Sequence, residues 1–128
     1  MKKILIILLS TLVVAGLLFN TGCKKKAKFD ITGMWVFTIT LSDESFDETY
    51  TFVGDRRSGD VYWEDQDLGT YLVTGEYIDF TLEYYYADET YVIEVYSGSF
   101  DMENQMSGNM TITIGGVASA SGTWIAFR

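Results

Sequence analysis

The sequence predicts an all-β domain: eight antiparallel strands in up-and-down order, closed as a β-barrel. Three observations carry this. From residue 33 onward apolar side chains recur with period 2, and no stretch shows the helical period of about 3.6 residues. The strands are joined by short turns, with none of the long crossovers that parallel pairing requires. The chain contains no Pro, which removes one device that blunts an exposed sheet edge, whereas closure abolishes edges altogether. A two-sheet sandwich protected by short edges or inward charges is the competing arrangement.

Each strand has its own signal. In residues 33–41, Trp35, Phe37, Ile39 and Leu41 alternate with Val36, Thr38 and Thr40, a half-buried run of good β-formers. Residues 42–47 read as an acidic connection, after which Tyr50 and Phe52 alternate within 48–53. Residues 54–60 (GDRRSGD) form a turn cluster. A short strand at 61–64 and a turn at 65–67 follow, and Tyr71 and Val73 then alternate up to Gly75. Ile78, Phe80, Leu82 and Tyr84 alternate with Asp79, Thr81 and Glu83 in the cleanest inward and outward pattern of the chain. Beyond a turn at Ala87-Asp88, Tyr91, Ile93 and Val95 are assigned inward and Val92, Glu94 and Tyr96 outward, in a strand that reaches Gly98 and Phe100. Met106, Gly108, Met110, Ile112 and Ile114 alternate in the seventh strand. Gly115-Gly116 makes a tight turn, and the last strand carries Trp124.

Composition narrows the chemistry. The chain has 128 residues, 18 acidic and 9 basic, with one Cys and no His. One Cys excludes an internal disulfide, and without His neither a thiolate or imidazole metal cluster nor a Ser-His-Asp triad can form. No nucleophile and base pair is legible, so the chain reads as non-enzymatic and in need of no cofactor. From Phe29 onward only Arg56, Arg57 and Arg128 oppose 18 acidic residues, a net charge of −15. That excludes a nucleic-acid binder, whose cations must neutralise phosphates.

The N-terminus is chemically separate from the rest. Lys2 and Lys3 precede a charge-free, mostly apolar run at residues 4–19, and Asn20, Thr21, Gly22 and the lone Cys23 follow. This order of charged, apolar and small-residue zones is that of a secretory signal peptide. As a helix the run would reach only about 24 Å, short of the roughly 30 Å hydrocarbon thickness. Thr21-Gly22-Cys23 resembles the lipobox of bacterial lipoproteins, with Asn20 where that pattern prefers Leu. The resemblance implies cleavage before Cys23 and attachment of palmitate-type acyl chains there. It also implies a lipid-anchored place in the bacterial cell envelope, the outer membrane favoured over the inner because Lys24 and not Asp follows the Cys. The competing reading of Cys23 is a free thiol after a non-lipidated signal. The chain then divides into a signal peptide (1–22), the lipidated Cys and a basic tether (23–29), and the barrel domain (30–128).

Two further segments carry a family likeness. Gly33-Met34-Trp35 is similar to the GxW opening of lipocalins, and Gly122-Thr123-Trp124-Ile125-Ala126-Phe127-Arg128 resembles the closing strand of small lipocalin-like bacterial lipoproteins. The resemblance implies a lipocalin-like barrel whose closed end is made by Trp35 under the guanidinium of Arg128. It also implies a small, largely apolar molecule held in the barrel mouth. Trp35, Phe37, Tyr50, Phe52, Tyr71, Phe80 and Tyr91 fall on the faces assigned inward and are the candidate ligand-binding residues. Rings of this size also fill a lumen. The alternative function is therefore a structural or protein-interaction lipoprotein with a side-chain-filled barrel, its partner meeting Tyr84, Tyr85 and Tyr86. Asp60, Glu64, Asp65 and Asp67 echo a calcium loop without its full ligand set, and a solvated turn is the default reading of them.

The lipid anchor has a direct test. The protein isolated from its own cells is expected to carry the mass of the acyl chains on a chain that begins at Cys23, and Cys23→Ala to lose both that mass and its membrane partition. Unchanged mass and partition in Cys23→Ala would exclude lipidation.

Overall fold

The computed structural model describes residues 26–87 and 89–128; the signal peptide, Cys23 and Asp88 lie outside the described residues. Eight strands run as β1 (Gly33–Leu41), β2 (Glu44–Gly54), β3 (Ser58–Trp63), β4 (Gln66–Thr74), β5 (Tyr77–Tyr86), β6 (Thr90–Met102), β7 (Gln105–Ile114) and β8 (Val117–Phe127). Each pairs antiparallel with the next, and β8 returns to β1 through a register from Val36↔Phe127 to Leu41↔Gly122. The result is a closed eight-stranded antiparallel barrel.

Hairpins are tighter than the sequence suggests. The acidic stretch 42–47 is mostly strand: β2 begins at Glu44, which pairs with Leu41, and only Ser42 and Asp43 turn. Glu64 and Asp65, both at positive φ (47° and 65°), make the two-residue connection of β3 to β4. Positive φ at both central residues matches the right-handed twist of the flanking strands. Gly115 and Gly116 (60° and 84°) do the same between β7 and β8.

The inward rows of all strands meet in one core. Phe37 sits at its centre, with its ring centroid 5.0–6.1 Å from those of Tyr50, Phe52, Phe80, Tyr96 and Trp124. Phe80 and Tyr96 stack at 4.3 Å and 5°. Edge-to-face and stacked pairs of this kind contribute about 0.5–1.5 kcal/mol each beyond the area they bury. Gly69 serves the same packing: a Cβ there would overlap the Thr81 carbonyl across the β4–β5 pair, so any side chain would force the strands apart.

Strand β6 has the opposite face inward from the one the sequence suggests. Val92, Glu94, Tyr96 and Phe100 are buried, and Tyr91 is on the outer wall, opposite Tyr85. Phe100 carries the reason. It packs against Trp35 at the closed end (6.0 Å), and an unbroken period of 2 running back from it sets positions 96, 94 and 92 on the same side.

Residues 27–29, at the end of the basic segment, pack against the barrel. The Lys28 amide donates to the Gly75 carbonyl (2.9 Å), Ala27 is buried, and Phe29 packs on Phe100 at 5.2 Å. Lys28 pairs with Glu76 (3.0 Å) on the surface.

Removing the stacked ring is expected to be severe. Phe80→Ala should lower unfolding free energy by about 3–5 kcal/mol, and Gly69→Ala by about 1–3 kcal/mol through overpacking. Denaturant unfolding followed by circular dichroism measures both, and losses below about 1 kcal/mol would contradict the packing described.

Candidate functional site

Alternation sorts the candidate residues into a sealed end, a filled middle, an open end and the outer wall. At the sealed end the Trp35 indole N–H donates to the Ile31 carbonyl (2.8 Å), and the Arg128 guanidinium lies 4.5 Å from the Trp35 ring centre. Arg128 also donates to the carbonyls of Asp30 (2.6 Å) and Glu103 (3.0 Å) and to Asn104 Oδ1 (3.0 Å). One guanidinium thus ties the last residue to the chain entry and to the β6–β7 turn, with a cation–π contribution of about 0.5–2 kcal/mol. Asp30 accepts from the amide and hydroxyl of Thr32, and these bonds hold its carboxyl below the usual range.

Six of the seven candidate ligand-binding residues, Trp35, Phe37, Tyr50, Phe52, Tyr71 and Phe80, come together in the lumen. Each is at most 4% exposed: five of them pack on one another, and Trp35 packs on Phe100. The seventh, Tyr91, does not join them. Its hydroxyl donates to Glu83 (2.9 Å) and its ring lies 5.2 Å from Tyr85 on the outer wall. Burial followed by Glu83 raises the Tyr91 pKa. Tyr71 anchors elsewhere: its hydroxyl donates to the Asp55 carbonyl (2.6 Å), and burial pushes its pKa up to about 12.

Toward the open end the lumen becomes polar in a way that the outward assignment of Glu94 hid. Tyr96 donates to Glu94 Oε1 (2.7 Å). Its only proton being committed there, the 3.1 Å contact with the Tyr50 hydroxyl makes Tyr50 the donor. Burial, reinforced by the nearby Glu94 carboxylate, raises the pKa of both tyrosines strongly. Glu48, on the inward row of β2, accepts from the Trp63 indole (2.8 Å). Leu41, Trp63, Leu68 and Ile112 pack partly buried against the core. Among the described residues, no buried side-chain nitrogen or oxygen is left without a partner.

The three consecutive tyrosines divide. Tyr84 lies on the inward row, its pKa raised by burial and then by Glu94. Tyr85 and Tyr86 are exposed, 44% and 69%. The four acidic residues do not converge either. Glu64 and Asp65 occupy the tight turn, while Asp60 and Asp67 lie close enough for Asp60 to add to the burial that raises the Asp67 pKa. Among the described residues no three His, Cys, Asp or Glu side chains form a group able to hold a metal ion. Two shallow concavities, of about 450 and 330 Å³, lie on the outer wall and not in the lumen.

The barrel geometry is compatible with the lipocalin-like fold. Comparison of the chain with protein-family models, curated proteins and solved structures gives no match in any of the three. The class defined here is a closed eight-stranded antiparallel barrel with an aromatic-filled lumen.

The tyrosine assignments predict alkaline behaviour. The folded pKa values of Tyr50 and Tyr96 lie above the ordinary value near 10, so their contribution to stability is complete below that pH and is lost as pH rises past it. Native-state absorbance titration of Tyr50→Phe/Tyr96→Phe should therefore match that of the parent up to the pH at which the barrel unfolds. A phenolate signal missing from the double variant while the sheet is intact would contradict the burial.

Proposed function

We propose that this chain is an exported lipoprotein of the bacterial cell envelope, anchored through lipidated Cys23, whose barrel acts as a non-enzymatic interaction module by its outer surface. The observation that carries this reading is the ring cluster around Phe37. Its members take up with one another the space that a small apolar ligand needs. The inward carboxylates support it, since Glu94 and Glu48 already accept from Tyr96 and Trp63 and hold polar partners that a ligand would have to displace. A small molecule in the mouth is the competing reading. The docking of Ala27 and Lys28 on the barrel supports an anchor near the sealed end, since three residues from Cys23 to Lys26 would span at most about 11 Å. Such an anchor would leave the open rim free.

Native mass spectrometry of the protein from its own cells is expected to read the polypeptide with its Cys23 lipid and no further mass. Titration with a long-chain fatty acid is expected to leave the fluorescence of Trp35, Trp63 and Trp124, all inward, unchanged. A retained small molecule, or a saturable fatty-acid response that Trp63→Ala abolishes, would overturn the surface reading in favour of the mouth.

A further inference from the structure

The outer wall formed by β5, β6 and β7 carries a concavity whose shape has a cause in the sequence. Gly98 and Gly108 face each other across β6 and β7. A Cβ on Gly98 would meet the Trp124 ring, and a Cβ on Gly108 the Ser97 carbonyl. The Trp124 indole lies directly beneath, its N–H donating to the Asn109 carbonyl (2.9 Å). The sheet therefore runs close to the core at this point, and its outer face dips into the concavity of about 450 Å³.

The side chains around the dip form two rows across the strands. One row is Tyr77, Ser99 and Ser107; the other is Asp79, Ser97 and Asn109. All are small and polar except Tyr77, which is 64% exposed with its ring at the edge of the dip. The hydroxyls are already oriented. Ser97 donates to Asp79 (2.6 Å) and Ser107 to Asp101 (2.7 Å), so each presents oxygen lone pairs outward, while the exposed Asn109 amide offers both donors and an acceptor. Among the residues lining this dip there is one carboxylate and no cation. On its other side Tyr77 borders a separate concavity of about 330 Å³, lined by Lys26, Lys28, Gly75 and Glu76, which is no part of the dip.

We infer that this groove binds a neutral oligosaccharide, with one sugar face stacked on Tyr77 and its hydroxyls paired with the Asp79–Ser97–Asn109 row. The chemistry selects this ligand. An exposed ring beside pre-oriented hydroxyl, amide and carboxylate groups suits a molecule that has an apolar face and a dense edge of hydroxyls. The absence of cations from the dip excludes phosphate or another anion. Neighbouring residues within a row lie about 4.8 Å apart from strand to strand, close to the advance per sugar in an extended β-linked chain. The inference rests on the reading of the barrel as a surface module.

The test is calorimetric titration of the lipidated full-length mature protein, held in a sugar-free detergent, with β-1,4-linked hexaoses of glucose and of N-acetylglucosamine. Saturable binding of at least one is expected. Tyr77→Ala and Asn109→Ala should each weaken it by about tenfold or more, Tyr77→Phe should retain it, and Thr49→Ala on the outer face of β2 should leave it unchanged. All three positions are on the outer wall, so unaltered thermal melts verify that the fold is intact. Absence of binding by both hexaoses, or binding indifferent to Tyr77→Ala, overturns the inference. A protein partner cross-linked through this wall and lost in Tyr77→Ala, with no hexaose bound, overturns it in favour of a protein ligand. A small molecule retained in the lumen instead strikes at the surface-module reading, which keeps the two failures apart.

Discussion

Closing eight strands leaves a lumen only wide enough for side chains or one small guest, and in this protein the Phe37 ring and its five aromatic neighbours fill it. Most other features follow from that packing. The stack of Phe80 on Tyr96 places the Tyr96 hydroxyl against Glu94, which makes an inward carboxylate tolerable. Trp124, the largest member, takes the space beneath Gly98 and Gly108, so the absence of side chains there is as much part of the core as the rings are.

The two ends of the barrel obey different physics. The sealed end is held by one guanidinium that spans Trp35, three backbone carbonyls and Asn104, and by the docked segment around Ala27 and Phe29. It joins the chain entry to the chain exit. The open end satisfies its inward polar groups with one another, Glu94 through Tyr96 and Tyr50, and Glu48 through Trp63.

Much of the fold was legible because its signals are local. The rows through Phe37, Phe80 and Met110 alternate over several residues, and each has one apolar face, which leaves no choice of side. β6 is the exception: Tyr91, Val92, Ile93, Val95 and Tyr96 supply apolar groups to both faces, and Glu94 misleads as an outward charge. The parity of Phe100 held the correct answer. For the candidate site, the inward placement of Tyr50 and Phe52 could be read from alternation, whereas the hydrogen bonds of Glu48 and Glu94 could not. Nor could the separation of Asp60 and Asp67 from Glu64 and Asp65, which depends on a two-residue turn built from residues that seldom adopt positive φ.

The sequence by itself determined the strand count, the up-and-down order, the acidic character of the domain and the chemistry of its first 23 residues. Alternation, turn residues and charge are properties of neighbours along the chain. Only the tertiary structure decided that the lumen is full, that β6 carries its carboxylate inward, and that Asp79 and Ser97, 18 residues apart, share a row with Asn109 over a glycine-made dip. Those outcomes depend on strand register and on the volume left when the barrel closes. Register is a relation between segments, and the same local pattern is compatible with more than one such relation until the core selects the one that fills its space.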